Sequence, residues 1–267
     1  MNDVVLYCKS YNRDIERVKV LAASVLKHNK DNIPFIISVP SEDVMFFQQS
    51  LADYTYPIIC DKDIVGDNLV QDWKTQQVVK MMFWKTGLCK NYVILDSDSY
   101  FIRDFHKSDF LVKDDVPYTV MHEQKELFSW TVNHTQILGF DPMISFGECR
   151  QPVMDLFDRP GRLYDFGPVP VVWSAKVWQT LEEDYLRPNG LTFANLIQTV
   201  ASEFSWYGEW LLVKRPIELW PVEPIFKVFH YQQQYVELKN MGYTEDHLKR
   251  NYLGIVMQSS GGCPLKY

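Results

Sequence analysis

The chain has 267 residues, 46% of them hydrophobic, and a formal net charge of −7. This composition suits one α/β domain with elaborations and excludes a disordered tail. The acidic balance argues against a nucleic-acid surface, which is typically basic, and no run approaches the roughly 20 apolar residues of a membrane span. Residues 4–8 read as a first apolar strand, entered directly from Met1-Asn2-Asp3 without the basic region and cleavage site of a signal peptide. Asp14 is then expected to cap a helix whose stripe is Ile15, Val18, Ala22, Val25 and Leu26. A strand at 35–39, a helix at about 42–51, a strand at about 56–60 and a long helix at about 70–89 follow. With the next strand, 92–95, this alternation predicts a mostly parallel sheet with right-handed crossovers. Another strand is expected at 116–121. Beyond about 125 Gly and Pro punctuate the chain, helices are expected near 174–184, 191–200 and 203–213, and short strands near 217–220 and 225–230. Ser259-Ser260-Gly261-Gly262 reads as part of a tail.

Five cysteines, odd in number and without a Cys-x-x-Cys pair, point to free buried thiols in a reducing compartment. A cytoplasmic protein is expected, with a peripheral membrane position as the variant. Aromatic residues make up 15% of the chain. Trp130, Trp173, Trp178, Trp206, Trp210 and Trp220 crowd the second half. Most of these rings are expected in the core, although a carbohydrate groove would use the same residues.

The run Tyr92-Val93-Ile94-Leu95-Asp96-Ser97-Asp98 carries the sharpest chemical signal. A strand buried on both faces ends in two carboxylates spaced i, i+2, which strand alternation would turn to one side. At the carboxyl edge of an open α/β sheet, where ligands bind, two such groups repel unless a proton or cation lies between them. Oxygen ligands suit Mg²⁺ or Mn²⁺, so Asp96 and Asp98 are expected to hold a divalent metal. This is the Asp-x-Asp arrangement of metal-dependent, nucleotide-sugar-using glycosyltransferases. Leu95-Asp96-Ser97-Asp98 also resembles the nucleophile loop of haloacid-dehalogenase-type phosphatases, and Gly66-Asp67 with Asp72 resembles their late metal motif. The order of those two motifs is reversed here, which speaks against a phosphatase.

Three further groups complete the candidates. Trp73, Gln76, Gln77 and Lys80 share one face of the expected 70–89 helix, and a lysine in so apolar a helix needs an anion, either a donor diphosphate or the motif carboxylates. Glu203 and then Glu209, set among aromatics, are candidates for a base that takes a proton from an acceptor hydroxyl; a first-turn helix acid is the competing role for Glu203. His230 ends a strand-like run and offers a neutral imidazole to the metal.

Lys9-Ser10-Tyr11, Asp14-x-Glu16-Arg17, Val39-Pro40-x-Glu42-Asp43, Trp73-x-x-Gln76-Gln77-x-x-Lys80, Leu95-Asp96-Ser97-Asp98 and Ser202-Glu203-x-x-x-Tyr207-Gly208 together carry a resemblance. The chain resembles a bacterial family of uncharacterised, predicted glycosyltransferases with the GT-A fold, over most of 4–230 and least over about 105–165. The resemblance implies a Rossmann-like nucleotide-diphospho-sugar transferase: α/β, with a mostly parallel central sheet flanked by helices. It implies Mn²⁺ or Mg²⁺ on Asp96 and Asp98, His230 as third ligand, and a donor, with a UDP-sugar foremost, bordered by Lys9, Ser10, Tyr11 and Arg13. One unit over 1–267 is expected, with a nucleotide-sugar half at about 1–124, an acceptor half at about 125–255 and a tail at 256–267. The expected activity is transfer of a sugar to a hydroxyl of a carbohydrate or glycolipid acceptor in glycan or polysaccharide synthesis. A catalytically silent nucleotide- or carbohydrate-binding module is the alternative.

Overall fold

The computed structural model describes residues 1–66, 73–113 and 115–267. The run of apolar and β-branched residues after Met1 forms β1 (Asn2–Lys9), whose residues Val4 to Cys8 are buried. Helix α1 (Ile15–His28) follows, with Val18, Leu21, Ala22 and Val25 turned inward, then β2 (Phe35–Val39), α2 (Val44–Ser50), β3 (Ile58–Cys60) and α3 (Asp61–Val65). The expected 70–89 helix is shorter. Its residues 70–72, like Asp67 and Asp72 of the phosphatase-type motif, lie outside the described residues, and α4 spans Thr75–Met82. A 3₁₀ turn over Phe83–Thr86 and a left-handed Gly87 then end it, and Cys89–Leu95 forms β4.

Strand order in the main sheet is β3-β2-β1-β4, extended by a fifth strand at Val171–Ser174. The first four are parallel and the last is antiparallel. The chain builds outward from β1 to β3, then returns to place β4 on the other side of β1. That reversal makes a switch point between the carboxyl ends of β1 and β4, the place where open α/β sheets bind ligands. Cys8 pairs with Leu95 in register, which sets Lys9 beside Asp96. Tyr7 stacks on Phe83 with centroids 3.8 Å apart, and Trp173 meets Tyr92 edge-on at 5.9 Å, so aromatic packing joins the sheet to its helices. Trp173, Trp178, Trp206 and Trp210 are buried core residues, whereas Trp73 and Trp220 are exposed.

A second sheet overturns one expectation. The segment read as a tail, 256–267, begins inside a buried strand, Gly254–Met257, which lies between Ser99–Phe101 (β5) and Phe226–Phe229, antiparallel to the first and parallel to the second. The residues beyond it are also tied down: Arg17 donates to the carbonyls of Met257 and Cys263, Cys263 is buried, and the Tyr267 amide bonds the Tyr100 hydroxyl at 2.9 Å. Three-stranded pairing and these caps satisfy the backbone that a tail would leave to solvent. Gly254 is required where these strands meet, because a Cβ there would overlap the Phe226 ring and the Tyr100 carbonyl oxygen. Gly254→Ala is expected to cost at least about 2 kcal/mol through overpacking, read as a lower urea midpoint at unchanged slope. A midpoint equal to wild type would show that the second sheet tolerates the methyl group.

No helix among the described residues is long and apolar enough to cross a membrane.

Candidate active site

A cleft of about 590 Å³ opens at the switch point. Lys9, Ser10 and Tyr11 from the end of β1 form one wall, Trp73, Gln76, Gln77 and Lys80 another, and Asp96 with Asp98 the floor. Glu203 reaches the same cleft from the first turn of the helix Glu203–Lys214. The sequence candidates therefore converge, with three exceptions. Arg13 is exposed and does not line the cleft. Glu209 is fully buried, with its carboxylate bonded by the Arg159 guanidinium, which already neutralises it. His230 lines two neighbouring cavities and not this one. Among the described residues no group of three or more His, Cys, Asp or Glu side chains gathers to hold a metal ion, so Asp96, Asp98 and His230 do not form the expected ligand triad.

Asp96 and Asp98 come together in a turn and not by strand alternation. β4 stops at Leu95, the Ser99 amide donates to the Asp96 carbonyl at 3.1 Å, and β5 leaves from Ser99. The former tail supports the second carboxylate: the Ser259 amide donates to Asp98 Oδ2 at 2.9 Å, and the Met257 amide to the Asp98 carbonyl at 2.9 Å. The other oxygen, Asp98 Oδ1, is buried and has no hydrogen-bond partner among the described residues. Burial first, and then the charge of Asp96, push the Asp98 carboxyl up to about 6. Ser10 Oγ and Gln77 Oε1, on the facing walls, are likewise buried and unpartnered. Asp61 Oδ1 is a fourth, and buried polar atoms are rarely left unsatisfied, so four such atoms around one cleft mark a place prepared for a polar guest.

Lys80 is 4% exposed and donates to Asp96 Oδ1 at 2.7 Å, with Glu203 Oε1 at 3.5 Å. Burial opposes its charge, but the two carboxylates outweigh burial and raise its pKa above the ordinary lysine value. Burial raises Glu203 in turn, against the lowering effect of Lys80. Three residues that sequence reasoning did not assign to the site complete it. Asp14 makes no capping bond at α1; it accepts from Ser97 Oγ at 2.8 Å and faces the cleft. Asp61 pairs with Lys9 Nζ at 2.9 Å and fixes the lysine along the wall. Ser259 holds Asp98. The capping signal had assigned Asp14 to the start of α1, and neither alternation nor capping marks Asp61 or Ser259.

The fold is mixed α/β with a mainly parallel central sheet and flanking helices, GT-A-like as the resemblance implied. Its likeness extends to a solved structure, the apo form of mouse xyloside xylosyltransferase 1, with a TM-score of 0.50, covering 98% of this chain and 99% of that chain. Identity between the two is 8%, so the likeness is one of fold. No curated protein sequence matches the chain. A family model matches residues 3–216, and the chain belongs to that family, a family of unknown function designated DUF6492.

Proposed function

We propose that the protein is a metal-dependent glycosyltransferase that moves a sugar from a nucleotide-diphosphate donor to an acceptor hydroxyl, in glycan or polysaccharide synthesis. The observation that carries this reading is the buried, unpartnered Asp98 Oδ1 beside Asp96 at the sheet's switch point. Hard oxygen ligands and two mutually repelling carboxylates fit Mg²⁺ or Mn²⁺, with Asp96 and Asp98 as its protein ligands and no contribution from His230. A divalent cation held there supplies Lewis-acid stabilisation of the charge that accumulates on a departing diphosphate. Lys9, Ser10 and Tyr11 border the nucleotide, with Asp61 keeping Lys9 in place. Exposed Trp73 and Tyr11 offer ring faces to a base or sugar at the mouth.

Lys80 adds a fixed positive centre at the floor, already ordered by Asp96 and Glu203, so little reorganisation is needed when negative charge develops. Glu203 is the carboxylate left for the acceptor proton. Burial raises its pKa above the ordinary glutamate value, which makes it a stronger base than an exposed carboxylate. A Glu203 that takes that proton favours inversion; a Glu203 that only positions the acceptor is compatible with retention.

Calorimetric titration of UDP, GDP and CDP, each with and without Mn²⁺, tests the donor site. One nucleotide, UDP first among them, is expected to bind in the micromolar range only with metal. Binding of none of the three under either condition would sink the assignment. Binding without turnover across a panel of acceptors would favour a silent module on the same fold.

A further inference from the structure

The turn that supports Asp98 has a second side. Gln258 and Ser260 line the donor cleft and also a neighbouring cavity of about 440 Å³, walled by Phe140, His230, Tyr231 and Gln233. The rings at that cavity are held in place. Tyr231 stacks on Trp130 with centroids 5.8 Å apart and an interplanar angle of 16°. Trp130 stacks on His134 at 4.0 Å, and Phe140 meets Tyr231 edge-on at 6.0 Å. Glu237 locks the stack from below, accepting from Trp130 Nε1 at 2.8 Å and facing His134 Nε2 at 2.5 Å. Phe140 is nevertheless 50% exposed. A rigid aromatic wall left open to solvent, rimmed by two amides and a hydroxyl, matches a pyranose, which has an apolar C–H face and a polar edge. Ordering costs on binding are small because the rings are already fixed. His230 adds a ring with no hydrogen bond from any described residue; burial lowers its pKa to about 4, so the imidazole is neutral and can bond a hydroxyl.

We propose that this cavity is the acceptor subsite and that the acceptor is a saccharide, stacked at the Phe140–Tyr231 corner, with its reacting hydroxyl directed past Gln258 and Ser260 into the donor cleft. This inference rests on the transferase reading. In the transfer, the acceptor oxygen forms a bond to the anomeric carbon as the bond from that carbon to the diphosphate oxygen breaks. The nucleoside diphosphate leaves with the electron pair, and the hydroxyl proton passes to Glu203.

The test is saturation-transfer NMR with methyl pyranosides of glucose, galactose, mannose, xylose and N-acetylglucosamine, together with cellobiose, maltose and lactose, in the presence of UDP and Mn²⁺. At least one probe is expected to bind wild type, and its affinity to fall about tenfold or more in Phe140→Ala and in Tyr231→Leu, with nucleotide binding unchanged. Phe140 is half exposed, so its replacement leaves the fold intact. Binding of no probe by a wild type that binds nucleotide overturns the subsite, as does saccharide binding unchanged in both variants. Saccharide binding lost in the variants of a protein that binds no nucleotide keeps the subsite and overturns the transferase.

Discussion

Asp98→Asn is expected to abolish transfer and metal-dependent nucleotide binding while making the metal-free protein more stable above about pH 6. The carboxylate is 8% exposed, next to Asp96, and one of its oxygens has no partner among the described residues. Burial and then the charge of Asp96 raise its carboxyl from 3.8 to about 6, a penalty on the order of 3 kcal/mol for keeping it ionised in the fold. For an acid whose folded pKa is raised, the favourable contribution is fully present below the unfolded value near 3.8. It is lost as pH climbs through about 6. Wild type in chelator is therefore expected to weaken between pH 5 and 7.5. Asparagine keeps an oxygen for the Ser259 amide and carries no charge, so the variant escapes that decline and gains about 1–2 kcal/mol at pH 7.5, since some burial cost remains. Urea midpoints of both proteins at pH 5 and 7.5 read this directly. Parallel pH dependence in the two would remove the charge repulsion from the account, and retained Mn²⁺-dependent nucleotide binding would remove Asp98 from the site. A cation competes with the proton on Asp98, so Mn²⁺ affinity of wild type is expected to fall by about tenfold per pH unit below 6.

The parts of this site that the sequence made legible share a property: each is a local contradiction. Two carboxylates ending an apolar strand, and a lysine in an apolar helix, are costly unless something compensates them, and Lys80 and Asp96 prove to compensate each other. The first four strands of the main sheet were legible for the opposite reason, since their apolar runs leave few alternatives. What stayed hidden depends on partners far away in the chain. Glu209 and Glu203 look alike in sequence, and only Arg159, fifty positions away, distinguishes them. Helical geometry held a clue, because six residues turn the two side chains roughly 240° apart, so both could not face one cleft. The strand Gly254–Met257 is only four residues long and pairs with β5, about 150 positions earlier; its apolar Ile255-Val256-Met257 was a signal, but its shortness and its distant partner concealed it. His230 was placed by its residue type, and the turn at 258–261 stands between the cleft it was assigned to and the cavity it lines.

Lys80→Met is the second variant with a large expected effect, this time on stability. Lys80 sits 4% exposed between Asp96, whose side chain is 29% exposed, and Glu203, whose side chain is 6% exposed. Methionine fills the volume of the stem but leaves Glu203 buried without a cation, and removing one member of a buried ion pair costs about 3–5 kcal/mol. Partial exposure of Asp96 lets water screen its share, which places the expected loss near the lower end, about 3 kcal/mol at pH 8. The loss is expected to depend on pH. Glu203 already has a raised pKa, so its contribution is fully present below its ordinary value near 4.5 and declines as pH rises through the raised one. Without Lys80 that pKa rises further, and the variant is expected to lose less at pH 5, where Glu203 can take up a proton, than at pH 8. Lys80→Met/Glu203→Gln then separates charge from packing: an amide needs no counter-ion, and the double variant is expected to recover about 1–2 kcal/mol of the loss at pH 8. Equal losses at both pH values, with no recovery in the double variant, would mean that Lys80 stabilises the fold by packing alone.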